Sequence, residues 1–351
     1  MNIGIVGCGN IAARYAERIA GTAGLELVAA TDVQPALADA FGAEHGCASH
    51  PDLAALLADD AVELVVNLTS PQAHGEVTRA ALRAGKHVHS EKPLALRHSE
   101  AQELVELAAR QSVRLGCAPA TLLGEAQQTA WKLVREGAIG TVRVVYAEAN
   151  WGRLEAWHPD PSALYAVGPL VDVGVYPLTI VTAMFGPARR VLGYATTVEP
   201  DRILRSGAPF RPEAPDLVVA LCELESGVVV RVTASFYVGP SKQRGLELHG
   251  DSGSIALATW GEADSRLELK ERAGEYEPVQ PVRKAHHGID WSRALVDLAE
   301  AVADDRPHRA GGEHAAHVVE LLDAVERSVA GGCPVAVTSS FPPPEPLDWA
   351  R

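Results

Sequence analysis

The sequence predicts an α/β protein in which a doubly wound parallel sheet is followed by an α+β domain with a large, mostly antiparallel open sheet. Over the first 120 residues, short apolar runs alternate with amphipathic helical stretches, which favours a parallel sheet with helices on both faces. Later strand-like runs follow one another without helices and alternate polar with apolar residues. The length of 351 residues suits about two domains, which we place at 1–120 and 121–351.

The first domain is predicted from nine elements in order. Its mainly apolar runs, such as Val62–Val66, are typical of strands buried on both faces. The predicted strands are Ile3–Val6, Leu25–Thr31, Glu63–Leu68, His87–Ser90 and Val113–Ala118, and the predicted helices are Ile11–Ala20, Pro35–Phe41, Ala73–Ala84 and Ser99–Ala109.

The second domain is predicted as one sheet with helices before, within and after it. Glycine-containing turns at 225–227 and 250–253 predict hairpins. The predicted strands are Val142–Asn150, Arg190–Thr197, Leu217–Leu224, Val228–Phe236, Arg244–His249, Ser254–Leu257, Arg266–Leu269 and Pro334–Thr338, and the predicted helices are Gly124–Gly137, Val171–Phe185, Trp291–Ala303 and Glu313–Val329.

Composition excludes several classes of protein. The formal charge of −14 and the lack of any Lys or Arg run argue against nucleic acid or an anionic membrane as partner. No uninterrupted apolar run of about 18 residues predicts a membrane span, and the N-terminus does not resemble a signal peptide. The five cysteines are scattered without a C-x-x-C pair, so we expect free thiols, no metal site and a cytoplasmic location.

A glycine-rich turn follows the first predicted strand. Its residues, Gly7-Cys8-Gly9-Asn10-Ile11-Ala12, match the G-x-G-x-x-A form of the dinucleotide-binding fingerprint. Gly7 permits a tight turn, Gly9 lets the backbone approach a pyrophosphate, and the helix N-terminus stabilises its charge. We therefore expect Gly7, Gly9, Asn10 and Ile11 to bind a dinucleotide; an ordinary structural turn is the alternative.

Asp32 ends the second predicted strand. A carboxylate about 20 residues after the glycines accepts hydrogen bonds from the ribose 2′-hydroxyl and repels a 2′-phosphate. The sequence therefore predicts NAD as cofactor, with NADP as the alternative.

Two further strand ends carry polar residues. Ligands of open α/β sheets bind outside the carboxyl ends of the strands. The alternative for the first segment is an ordinary helix N-cap, and for the lysine a solvated surface position. We expect the cofactor crevice to be lined by Thr69, Ser70, Pro71, His74, Glu91 and Lys92.

With these segments in order, the chain resembles the Gfo/Idh/MocA family of oxidoreductases. The resemblance covers nearly the whole chain. It rests on the fingerprint and on five further motifs: Thr69-Ser70-Pro71-x-x-His74, Glu91-Lys92-Pro93, the link Glu136–Gly140, the helix Gly168–Tyr176, and Ala315–Glu320.

The resemblance implies a Rossmann domain that binds NAD(P) and a C-terminal domain whose sheet forms homodimers or homotetramers. It implies that Lys92 contacts both the nicotinamide ribose and the substrate, and that the Lys92–Pro93 peptide is cis. It also implies that Asp172 and Tyr176 lie beside the substrate, and their spacing puts both on one side of a helix. Lys92, Asp172 and Tyr176 are thus the expected catalytic residues.

Tyr176 is a departure from many relatives, which carry His at this position. In having Tyr there, the chain resembles the glucose–fructose oxidoreductase and dihydrodiol dehydrogenase branches. A phenol can exchange the proton of a reacting alcohol if a neighbouring ammonium stabilises its anion. Whether Tyr176 or Lys92 transfers the proton stays open, as does the direction of the reaction.

The segment 150–161 is rich in aromatic residues and lies between a predicted strand and the Asp172 helix. Flat indole faces suit the C–H faces of sugar or cyclitol rings, and polar groups nearby can bind hydroxyls. The alternative is a structural loop whose aromatics cap the sheet. The expected substrate-binding residues, besides Lys92, Asp172 and Tyr176, are Asn150, Trp151, Trp157 and His158.

Together these observations predict an NAD(P)-dependent oxidoreductase that moves a hydride between the nicotinamide and a carbon of a sugar, sugar derivative or cyclitol. The expected partners are thus a small sugar or polyol and a second copy of the chain. The alternatives are a non-catalytic NAD(P)- and sugar-sensing co-regulator, and an imine or C=C reductase of secondary metabolism.

Overall fold

The computed structural model describes residues 1–239 and 241–351 and divides into two compact units. The first unit comprises Met1–Ala120 and Asp290–Val319, and the second comprises Thr121–Ile289 and Glu320–Arg351. The predicted domain 121–351 differs from this division at residues 290–319, where apolar side chains such as Leu295 and Leu298 pack in the core of the first unit.

Secondary structure follows the predicted order closely. The strands are β1 Asn2–Val6, β2 Glu26–Thr31, β3 Ala48–Ser49, β4 Leu64–Asn67, β5 His87–Ser90, β6 Leu115–Cys117, β7 Val142–Asn150, β8 Ala188–Thr196, β9 Arg202–Ile203, β10 Pro209–Phe210, β11 Leu217–Leu224, β12 Val229–Ser235, β13 Gly245–Gly250, β14 Gly253–Leu257, β15 Leu267–Glu271, β16 Glu277–Val279 and β17 Val335–Ala336. The helices are α1 Ala12–Ala20, α2 Pro35–His45, α3 Leu53–Leu57, α4 His74–Arg83, α5 His98–Gln111, α6 Glu125–Arg135, α7 Ser162–Pro169, α8 Val175–Phe185, α9 Arg293–Ala303 and α10 Gly312–Gly331.

The first unit is a six-stranded parallel sheet in the order β3-β2-β1-β4-β5-β6. Alternate residues of its central strands enter two different apolar clusters: Val65 of β4 joins one, and Leu64 and Val66 join the other. Both faces are therefore covered, as continuous apolar strands require. This confirms the predicted α/β class.

The second unit contains a nine-stranded sheet in the order β16-β15-β14-β13-β7-β12-β11-β8-β17. The pair β7 and β12 is parallel, and the other neighbouring pairs are antiparallel. One face is buried, since Val145, Ala147 and Ala149 of β7 have no exposed surface. The large, mostly antiparallel sheet is thus confirmed.

The segment before β8 differs from the single helix predicted at Val171–Phe185. An unpredicted helix, α7, precedes it and is kinked near its end at Gly168, with φ of 79°. The turn Leu170–Gly174 is then a π-helix that leads into α8. The small hairpin of β9 and β10 was also not predicted.

Within the described residues, Ser162–Phe185 is long and apolar enough to cross a membrane by length and composition alone. It is not an uninterrupted apolar run, because Asp172 and Thr179 lie within it. The kink at Gly168 divides the stretch, and 67% of its most apolar window is buried in the protein, as in the core helix of a soluble protein.

Candidate functional site

The turn between β1 and α1 has the geometry that its glycines predict. Gly7 has a φ of 97°, and a Cβ atom there would lie 2.8 Å from the carbonyl oxygen of Leu68, so only glycine fits. At Gly9, by contrast, a Cβ atom would meet nothing within 4 Å. The space over the turn is therefore open to a ligand.

Asp32 is held at this turn by backbone groups. Its carboxylate accepts hydrogen bonds from the N–H groups of Cys8 and Gln34, both at 2.8 Å. The N-cap of α1 is Ile11, whose side chain makes no capping hydrogen bond, so the positive N-terminal end of the helix carries no side-chain cap. Open space, helix N-terminus and carboxylate together fit a dinucleotide with a free ribose 2′-hydroxyl.

Asn67 organises the next strand end, and sequence reasoning missed it. It is fully buried, its amide nitrogen donates to the carbonyl oxygen of His74 at 3.1 Å, and its Oδ1 accepts the hydroxyl of Thr69 at 2.7 Å. The available signal was an Asn at the end of an apolar strand. Ser70 is exposed and Pro71 half-buried on the turn that Asn67 shapes.

His74, which was expected to bind the cofactor, lies between the two strand-end segments. The ring is buried; Nδ1 lies 2.7 Å from the carbonyl oxygen of Pro93, and Nε2 lies 3.0 Å from that of Thr69. Burial lowers the pKa of His74 despite these two acceptors, which raise it. His74 therefore joins the two strand-end segments that were predicted to line the cofactor crevice.

Glu91 and Lys92 follow β5. Glu91 is buried, and its carboxylate accepts the hydroxyl of Tyr15 at 2.8 Å and the N–H of Lys92 at 3.1 Å. Glu91 thus ties α1 to the segment that carries Lys92, a role for Tyr15 that sequence reasoning missed. Lys92 itself is half-buried, and the Lys92–Pro93 peptide is cis, as expected.

Asp172 and Tyr176 lie on consecutive turns in the second unit. Asp172 belongs to the π-helical turn and Tyr176 to the first turn of α8, and each residue is 8% exposed. Single π-helical turns occur frequently at functional sites. The two predicted residues therefore lie on either side of the junction between the π-helical turn and α8.

Tyr176 begins a row of aromatic rings, which we call the aromatic row. Its ring lies 4.6 Å from that of Trp260, the ring of Trp260 lies 5.9 Å from that of Trp151, and the rings of Trp151 and Trp157 are 6.3 Å apart. His158 follows Trp157 at 5.5 Å. Trp260 was missed because it is distant in sequence from the other members.

Asn150 does not join this row. Its amide donates to the carboxylate of Glu148 at 3.1 Å, and in β7 both residues lie on the face opposite Ala149. The π-helical turn packs on the Ala149 side, since a Cβ atom at Gly174 would lie 3.4 Å from Ala234, the neighbour of Ala149 in β12. The expected substrate contact of Asn150 thus has no support in its placement.

A buried ionic network anchors the tryptophan loop, residues 151–161. Arg202 has a 1% exposed side chain that binds Glu155 at 2.9 Å and Asp216 at 2.6 Å, and it also donates to the hydroxyl of Tyr165 at 2.8 Å. Tyr165 in turn donates to Glu155. Burial and this last bond raise the pKa of Tyr165.

Within the described parts of the chain, no three His, Cys, Asp or Glu side chains are grouped as a metal site would require.

Two family models match the chain. Residues 1–118 match the NAD-binding Rossmann-fold domain of the Gfo/Idh/MocA oxidoreductase family, and residues 127–256 match the C-terminal domain of the same family.

Curated relatives extend the match along the chain. This chain is 30% identical over 341 residues to a dTDP-3,4-didehydro-2,6-dideoxy-α-D-glucose 3-reductase of Streptomyces violaceoruber. The match covers 93% of this chain and 95% of that protein. The chain is 28% identical over 266 residues to inositol 2-dehydrogenase 2 of Saccharopolyspora erythraea, covering 73% of each.

Solved structures share the fold. Levoglucosan dehydrogenase in complex with NADH and L-sorbose matches with a TM-score of 0.84 and 20% identity, over 97% of this chain and 99% of that one. An NAD-binding oxidoreductase from Klebsiella pneumoniae also matches with a TM-score of 0.84, at 21% identity over 97% and 100%.

Proposed function

We propose, from the premise that this chain belongs to the Gfo/Idh/MocA family of NAD-binding oxidoreductases, that it interconverts a secondary alcohol and a ketone on a sugar, sugar derivative or cyclitol. The curated relatives support this substrate class, since one is named for a deoxysugar and another for inositol. The observation that carries the proposal is the β1–α1 turn, with open space over Gly9 and the fixed carboxylate of Asp32.

The β1–α1 turn and Asp32 would hold the dinucleotide, which would supply a nicotinamide able to take up a hydride from a carbinol carbon or give one back. The substrate hydroxyl must lose its proton as the hydride leaves, and we assign that exchange to Tyr176 or Lys92. Asp172 accepts a hydrogen bond from a substrate hydroxyl and so orients the carbon. The near-complete burial of Tyr176 and Asp172 supports these roles, because it keeps bulk water from both groups.

The test is an absorbance assay for NADH formation with a panel of sugars and cyclitols. Lys92→Ala is expected to lower kcat by about 10²–10⁴-fold, the range for loss of an acid–base or charge-stabilising group. Lys86→Ala is the matched control, because Lys86 donates to the Asp59 carbonyl oxygen outside the strand-end segments. Tight NAD binding without turnover of any panel member would favour a non-catalytic sensor.

We also propose that the chain forms a homodimer through the exposed face of the nine-stranded sheet. That face carries large apolar side chains on the adjacent strands β7, β12, β11 and β8, namely Tyr146, Val229, Leu221, Leu192 and Tyr194, which are 37% to 62% exposed. Isolated monomers rarely expose such a contiguous patch. Light scattering is expected to give twice the chain mass, and Tyr194→Arg combined with Leu221→Arg is expected to give the mass of one chain.

We place the enzyme in the reducing cytoplasm. The five cysteines are free thiols, and Cys117 and Cys222 are buried, which suits small apolar packing. Cell fractionation checks the location.

A further inference from the structure

The aromatic row is buried at the Tyr176 end and exposed to solvent at the other end. Tyr176 and Trp260 are each 8% exposed, whereas Trp151 is 46% and Trp157 is 49% exposed. The indole N–H of Trp260 donates to the backbone carbonyl oxygen of Glu148 at 3.2 Å, which fixes the orientation of the ring between Tyr176 and Trp151. The row thus leads from the proposed catalytic phenol to two solvent-exposed indoles.

The exposed end of the row is supported by the segment that leads into and through the β9–β10 hairpin. This segment contacts the tryptophan loop at three alternate positions: Glu199 pairs with Arg153 at 2.8 Å, Arg202 with Glu155 at 2.9 Å, and Arg205 donates to the Trp157 carbonyl oxygen at 3.3 Å. Because every second residue of the loop from 153 to 157 is contacted, the hairpin segment supports this part of the loop along its length. Trp157 is therefore presented on a supported backbone rather than on a free loop.

A hydrogen-bond donor accompanies the indoles. The N–H of Asp160 donates to Nδ1 of His158 at 3.1 Å, so the proton of the neutral ring resides on Nε2. An exposed aromatic pair with an adjacent N–H donor is the combination that binds a ring bearing both C–H faces and hydroxyl groups.

The charges around the row argue against a diphosphate-linked ligand. Diphosphates are recognised by arginine or lysine groups directed at their oxygens. Here the arginines of the loop and hairpin already have partners. Arg153 pairs with Glu199, Arg202 with Asp216 and Arg211 with Asp201, and Arg205 donates to the backbone carbonyl oxygen of Trp157. An uncharged ring suits this surface better than a nucleotide.

We propose that the aromatic row is a subsite for a second, uncharged ring of the substrate, so that the enzyme acts on a glycoside or disaccharide in preference to a free monosaccharide. The inference rests on the proposed function, because Tyr176 marks the reacting end of the row. Trp260 and Trp151 contact the bond between the two rings, and Trp157 and His158 bind the second ring.

The test compares free hexoses (glucose, galactose and mannose) with disaccharides that carry each hexose at the non-reducing end, using the full chain and NAD. The best disaccharide is expected to exceed its own hexose in kcat/KM by about tenfold or more, a factor that ring stacking can supply. Trp157→Ala is expected to lower kcat/KM for the disaccharide about tenfold more than for the hexose. Tyr276→Ala removes an aromatic ring beside the edge strand β16, outside the row, and is expected to leave the ratio unchanged.

Two results would overturn the subsite while keeping the proposed function: equal kcat/KM for hexose and disaccharide, or a preference that Trp157→Ala leaves intact. Turnover confined to a dTDP-linked sugar would overturn the uncharged second ring. Failure to turn over any of these sugars, any cyclitol or any dTDP-linked sugar would overturn the proposed function itself and the subsite with it.

Discussion

The cofactor crevice of the first unit is shaped mainly by backbone groups, whereas the tryptophan loop of the second unit is fixed mainly by side chains. In the crevice, the carbonyl oxygen of Leu68 leaves room only for Gly7, and two backbone N–H groups fix Asp32. The loop is fixed by side chains, chiefly by Arg202 between Glu155 and Asp216. Backbone geometry is encoded locally by glycines, whereas a side-chain network joins distant parts of the chain.

The largest effect is expected on the side-chain half of this comparison. Arg202→Met leaves the carboxylates of Glu155 and Asp216 buried without their cation, which costs about 3–5 kcal/mol of unfolding free energy. Urea denaturation measures it. Arg211→Met is the control, because its pair with Asp201 is largely exposed and contributes little. Equal stability of the two variants would mean that the network does not anchor the loop.

The backbone half is tested by Gly9→Val. A Cβ atom there meets no protein atom within 4 Å, so the fold is expected to keep its stability, while the added methyl groups fill the space over the turn and weaken NAD binding about a hundredfold. Calorimetric titration with NAD measures this. Gly7→Ala should do the reverse and lower stability, because its positive φ and the nearby Leu68 oxygen exclude a side chain. Unchanged NAD affinity in Gly9→Val would contradict the assigned crevice.

The contrast between backbone geometry and side-chain networks explains which parts of the protein the sequence could predict. The β1–α1 turn, Asp32 and the strand ends follow from local patterns, because each lies within a few residues of the apolar run that it ends. The β9–β10 hairpin was not predicted, because its two-residue strands carry no periodicity and nothing next to Arg202 in the sequence marks it as buried. Trp260 was missed for a similar reason, since only the folded sheet brings it to Tyr176.

The return of residues 290–319 to the first unit was equally hidden. An amphipathic helix shows which face is apolar but not which core receives it. The helix predicted around Leu295 and Leu298 is present as α9. Only the packing in the structure shows that these two side chains belong to the core of the parallel sheet.

A smaller effect sharpens the cofactor choice. Asp32→Ala removes the carboxylate that favours a ribose 2′-hydroxyl, so the ratio of kcat/KM values for NAD and NADP is expected to fall about tenfold. Steady-state assays with both cofactors measure the ratio. Asp39→Ala, on the exposed surface of α2, is the control. A ratio that does not move would show that Asp32 does not contact the ribose.

The smallest effect concerns pH and the second unit. Burial raises the pKa of Glu320, but hydrogen bonds from Ser339 and Thr338 outweigh it and lower the pKa from its ordinary value of 4.5 to about 2. Because the pKa is lower in the folded state, this stabilisation is present above about pH 4.5 and is lost as the pH falls towards 2. Glu320→Gln is expected to flatten the pH dependence of the unfolding midpoint in that window, and an unchanged slope would contradict the assignment.

The central claim is that the chain moves a hydride between a sugar carbon and NAD, and isotope transfer tests it most directly. A sugar substrate labelled with deuterium at the oxidised carbinol carbon is incubated with NAD, and the reduced cofactor is examined by mass spectrometry. Direct hydride transfer from the labelled carbon predicts one deuterium in each reduced nicotinamide formed. Reduced cofactor without deuterium, or deuterium released to water, would contradict it.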